Sequence, residues 1–82
     1  MPDRPIKLRD LRRILARYGC WEDASLGKGS HTTFLRTIDG VVWKYPVPTH
    51  GRDMIGIGYV KLIRKRFRLT RADGIADGDF YA

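Results

Sequence analysis

The chain of 82 residues reads as one two-layer α+β domain: a helix, three antiparallel strands and a second helix, with both helices on one face of the sheet. Three features lead there. Apolar residues recur at helical spacing in two separate stretches, two β-prone runs flank Asp39-Gly40, and the length allows a single core. A domain this short buries only roughly 60% of its unfolded surface, so the core must be thin, which argues against multi-layer nucleotide-binding folds. With 43% apolar and 30% charged residues, the composition is that of a globular chain.

Leu8, Leu11, Ile14, Leu15 and Tyr18 form one stripe of a helix of about three turns, with Arg9, Asp10, Arg12, Arg13 and Arg17 on its other faces. Asp3 and Pro5 sit just ahead of its first turn, and Gly19 ends it. Trp21 and Ala24 mark a short edge strand that Glu22 and Asp23 keep polar, and Gly27-Lys28-Gly29-Ser30 breaks the chain. His31–Ile38 and Val41–Val47 then flank Asp39-Gly40, the strongest short hairpin signal.

A two-residue turn there pairs Ile38 with Val41, Phe34 with Tyr45 and His31 with Pro48. Alternation sends Phe34, Ile38, Val41, Trp43, Tyr45 and Val47 to the core face. The opposite face receives His31, Thr33, Leu35, Thr37 and Lys44 and is expected to be mostly polar and open. Arg36 falls on the apolar side opposite Trp43, either over the indole or around the sheet edge. Tyr59, Val60, Ile63 and Phe67 mark a second helix from about Ile57, with Lys61, Arg64, Lys65 and Arg66 expected outside. Residues 69–82 read as a loose tail in which Ile75, Phe80 and Tyr81 are the docking candidates.

Charge narrows the choice of partners. All sixteen Lys and Arg lie within residues 1–71, together with six of the nine acids. Residues 72–82 carry Asp73, Asp77 and Asp79 and no base. The expected organisation is a basic body over 1–71 and an acidic tail over 72–82, the tail a candidate internal cover for the basic face. A net charge of +7 fits a polyanion such as a nucleic-acid backbone, against the plainer reading of solubility alone. One cysteine rules out an intrachain disulfide and a multi-cysteine zinc site. Met1-Pro2-Asp3-Arg4-Pro5 offers no apolar leader, and no apolar run nears the ~20 residues of a membrane span. The expectation is a soluble, cytoplasmic chain with no membrane partner.

Two familiar patterns fail. Gly27-Lys28 does not make a P-loop, because Glu22 stands where the first glycine belongs and Gly29 follows the lysine. Asp77-Gly78-Asp79 lacks the spacing and closing Glu of a calcium loop. The histidines are more informative. The register brings His31, at the start of one strand, and His50, just past the end of the next, to the same end of the sheet. Metal-independent RNA cleavage needs a base for the 2′-hydroxyl proton and an acid for the leaving 5′-oxygen, and imidazole titrates near neutrality. Lys28 is placed to steady the extra charge on the phosphorane. The plainer alternative for either histidine is an inert surface residue.

Gly29-Ser30-His31 followed by Phe34, then Asp39-Gly40, then Val47-Pro48-Thr49-His50-Gly51 and Gly58-Tyr59-Val60 with Ile63, is a specific order in so short a chain. From about Leu8 to Thr70 the sequence resembles the HicA (YcfA-like) toxin family, the RNA-cleaving halves of bacterial toxin–antitoxin pairs. That resemblance implies a double-stranded-RNA-binding-domain-like αβββα fold. It also implies an mRNA-cleaving endoribonuclease with His31 as catalytic residue and Lys28, Ser30 and His50 in support. A HicB-like antitoxin protein is the implied partner, and no cofactor is implied. Phe67-Arg68 stands where the family commonly has a small residue and glycine. Lys28, Lys44, Arg52, Lys61, Arg64 and Lys65 are the expected RNA-binding cations. The competing reading is a non-catalytic RNA-binding module on the same fold.

Overall fold

The computed structural model describes residues 3–26, 29 and 31–82. In chain order it has β1 (Ile6–Lys7), α1 (Leu8–Arg17), β2 (Trp21–Asp23), β3 (His31–Ile38), β4 (Val41–Pro48), β5 (Met54–Ile55), α2 (Ile57–Arg66) and α3 (Asp77–Tyr81). Strands β2, β3 and β4 form an antiparallel sheet with β3 in the centre. The hairpin register is the expected one throughout, from Ile38 opposite Val41 to His31 opposite Pro48. Asp39 and Gly40 both take positive φ, 51° and 78°, as a two-residue hairpin turn that follows the strand twist requires.

Phe34 and Val47 lie on one sheet face and share a core with Leu11, Ile14 and Leu15 of α1 and with Val60, Ile63 and Phe67 at α2. The helix–three strands–helix arrangement is therefore present. Three parts differ from expectation. First, β1 and β5 make a small second ladder, Ile6 opposite Ile55, that fastens the chain ahead of α1 to the chain ahead of α2. No local sequence signal marks a pairing across so many residues.

Second, the stretch 69–82 is folded rather than loose. A turn over Arg71–Asp73 is closed by a Thr70/Asp73 capping box, and Leu69, Phe80 and Tyr81 are buried in the common core. The acidic segment is thus packed into the domain.

Third, the sheet face turned from the helices is not simply polar and open. Thr33 and Leu35 are buried there, because β3 is central, the turn Ala24–Leu26 lies against it and Trp21 pairs opposite Leu35. Trp21, Leu26 and Val42 leave exposed apolar surface. No helix among the described residues is long and apolar enough to cross a membrane.

Candidate functional site

His31 opens β3 opposite Pro48, on the face that also carries Thr33, Leu35, Thr37 and Lys44. That face looks away from Phe34, Val47 and both helices, so the imidazole is half-buried at the end of a strand and lies outside the core. His50 is exposed in the turn two residues beyond Pro48, which puts both histidines at the same end of the hairpin. Lys44 is exposed on the His31 face, four residue pairs along the ladder, or about 13 Å at the usual strand rise. Lys28 and Ser30, the other expected members of the site, lie outside the described residues.

The remaining expected cations line three separate clefts. Arg52 lines a cleft at the start of α1 with Lys7, Arg9, Arg12 and Asp53, where the Leu8 N–H donates to the Asp53 carbonyl at 2.8 Å. Lys61 is exposed beside Arg71, Asp3 and Asp77. Lys65 is exposed on a groove between α2 and β4 with Trp43, Tyr45, Leu62, Arg66 and Arg68.

The sequence matches no protein-family model, no curated protein and no solved structure. Function rests on the chemistry of these residues.

Arg64 requires a correction. Expected outside, it has a side chain only 4% exposed and points into the packing between α2 and α3. Its Nη1 donates to Asp3 at 2.7 Å and to Asp77 at 2.9 Å, and its Nε donates to the Leu69 carbonyl at 2.9 Å. A guanidinium so engaged is spent on the protein's own carboxylates and carbonyls rather than displayed on the outer face of α2. A charged residue on a helix normally faces solvent, but here α3 brings the Asp77 carboxylate to meet Arg64.

Arg36 resolves differently from either expected course. It donates to the Phe67 carbonyl at the C-terminal end of α2, where the helix dipole favours a cation. Arg68, not Arg36, lies against the indole of Trp43. Sequence reasoning missed Lys7, Arg9 and Arg12 as a cluster with Arg52, and also Arg66 and Arg68 beside the aromatic pair. The one available signal was the i, i+2 spacing of Trp43 and Tyr45, which puts both on the α2 side of the sheet. Cys20 is buried, and burial pushes its thiol up to about 11, so little reactive thiolate forms near neutrality.

Proposed function

We propose that the chain is a HicA-like endoribonuclease of a toxin–antitoxin pair, with a double-stranded-RNA-binding-domain-like αβββα fold and His31 as its proton-transferring residue. The observation that carries this reading is the setting of His31: half-buried, outside the apolar core, on the sheet face that also presents Lys44, with His50 exposed nearby. Such a ring is reachable by a polynucleotide drawn to a chain of charge +7.

In this reading His31 takes the proton of a ribose 2′-hydroxyl. The 2′-oxygen forms a bond to phosphorus as the bond from phosphorus to the 5′-oxygen breaks, and an acid returns a proton to that leaving oxygen. The products are a 2′,3′-cyclic phosphate and a 5′-hydroxyl. His50 is the nearest second imidazole in the sequence for the acid role. Lys28 and Ser30, just ahead of His31, are assigned to the charge on the phosphorane. The reaction uses no metal; one cysteine and two histidines are too few for a Cys/His zinc site. A HicB-like antitoxin protein is the proposed partner, and the cytoplasm, where mRNA is found, the proposed location.

The test is incubation of the purified protein with mRNA in EDTA, beside His31→Ala. Cleavage leaving cyclic-phosphate ends, at least 100-fold slower in the variant, is expected from the usual size of acid–base contributions of about 10²–10⁴. Equal cleavage by the variant, or cleavage that requires added metal, removes the proposed chemistry. Tight RNA binding with no cleavage assigns the chain to the non-catalytic RNA-binding class instead.

A further inference from the structure

Helices α1 and α2 end in the same turn with different residues at its critical position. At the end of α1, Gly19 and Cys20 donate their N–H groups to the carbonyls of Ala16 and Leu15. At the end of α2, Arg68 and Leu69 donate theirs to Lys65 and Arg64. Each motif needs one residue in the left-handed region, and Gly19 supplies it at φ +81° without steric cost. Arg68 supplies it at φ +54° against the strain that a Cβ introduces there.

The turn carries Leu69 into the core, a task glycine would perform equally well, while the Arg68 side chain itself stays at the surface. Among the described residues its one ion pair, to Asp39 at 3.4 Å, joins two exposed side chains and contributes little. The Arg68 guanidinium lies on the Trp43 side of the sheet. Its carbon lies 5.7 Å from the centroid of the Trp43 ring, and that of Arg66 lies 6.0 Å from Tyr45. Lys65 and Leu62 complete the groove, so among the described residues its lining holds three cations and no carboxylate.

We propose that this groove binds a single-stranded stretch of RNA. An arginine lying against an aromatic ring keeps its outer planar face for a base, while its in-plane N–H groups reach a phosphate. The Arg68 side chain is about half exposed, so solvent reaches it. Unstacked bases bring planar faces and phosphates together. A duplex keeps its faces inside its own stack, and an acidic peptide supplies charge without the faces. The groove lies on the α2 side of β4, and His31 lies on the opposite side of the sheet. It is therefore a second RNA contact, and it rests on the RNA-binding half of the proposed function but not on the cleavage.

The experiment uses the full chain carrying His31→Ala, to slow RNA loss, and reads fluorescence anisotropy of a labelled oligouridylate. Arg68→Gly is expected to keep or raise Tm, because glycine suits the turn, and yet to weaken oligouridylate binding about tenfold, within the range for one stacked base. Arg68→Lys, with the charge kept and the plane removed, is expected to lose most of that affinity too. Binding of a duplex RNA is expected to change less than threefold in either variant. Equal losses for single strand and duplex, or no loss in Arg68→Gly, overturn the proposal. So does tight binding of polyglutamate that disappears in Arg68→Gly, which marks the groove as a protein-docking site. A wild-type chain that never cleaves RNA, with Arg68-dependent oligouridylate binding intact, removes the nuclease reading and leaves this one standing.

Discussion

Arg64 of α2 meets Asp77 at the start of α3 across 2.9 Å, and both side chains are shielded from solvent. The same guanidinium also holds Asp3 at 2.7 Å, donates to the Ile75 carbonyl at 3.3 Å and lies 4.5 Å from the centroid of the Phe80 ring. One residue thus fastens the first described residue and the last turn of the chain to α2. Removing one partner of a buried ion pair leaves the other without compensation and typically costs about 3–5 kcal/mol. Arg64→Ala should therefore lower the unfolding free energy by about 3 kcal/mol in urea titrations and expose residues 70–82 to limited proteolysis. Unchanged stability would mean that apolar burial of Phe80 and Tyr81 alone holds the segment.

The same cluster sets the response to acid. The hydrogen bond from Arg64 lowers the Asp77 carboxyl below its ordinary value, with the charges of Arg71 and Arg64 acting the same way. At Asp3 partial burial acts upward, but hydrogen bonds from Arg64 and Tyr81 outweigh it, so that carboxyl is lowered as well. Depressed carboxyls bind fewer protons in the folded chain than in the unfolded one. Their stabilisation is complete above the unfolded value of about 3.9 and is lost as pH falls through the folded values. Thermal unfolding should be nearly flat from about pH 7 to 5 and fall steeply below about 4. Arg64→Ala should flatten that acid limb; an unaltered limb would locate the acid sensitivity elsewhere.

What could be read in the sequence was local. Helical spacing in 8–18 and in 57–67, and the Asp39-Gly40 turn between alternating runs, are decided by residues within a few positions of each other. The helices and the hairpin register follow from them. The β1–β5 ladder joins Ile6 to Ile55, and α3 has only five residues whose burial depends on a core assembled elsewhere. Neither has a periodicity to detect. The site divides the same way. Alternation along the hairpin placed His31 and Lys44 on the face opposite the helices, whereas Arg64, Arg36 and Arg68 take partners on other elements that no spacing rule names.

The hairpin turn is the cheapest place to test the register. Gly40 sits at φ 78°, and a Cβ added there would meet nothing within 4 Å, so the penalty for a side chain is purely conformational. Gly40→Ala should cost about 1 kcal/mol, or roughly 4–8 °C in Tm for a domain of this size. Gly58, in the first turn of α2, has the same open surroundings without a positive φ, so Gly58→Ala should instead stabilise by about 0.5–1 kcal/mol. Opposite signs in the two melts are the expected result. A neutral Gly40→Ala would be incompatible with a left-handed turn.

Salt dependence separates the cations that meet RNA from those spent on the protein itself. Each phosphate contact adds about 0.7–0.9 to the steepness of log K against log salt, so deleting one contact should shallow the slope by about that amount. Lys44 on the His31 face and Arg52 in the cleft at α1 are both exposed, and Lys44→Ala and Arg52→Ala should each show the change. Arg17 donates instead to the carbonyls of Asp79, Phe80 and Ala82 at 2.7–3.1 Å. Arg17→Ala should leave the slope alone and lower Tm, because it unfastens the chain end from α1. If all three variants and the parent chain share one slope, Lys44 and Arg52 make no phosphate contact and the basic charge of the His31 face serves another end.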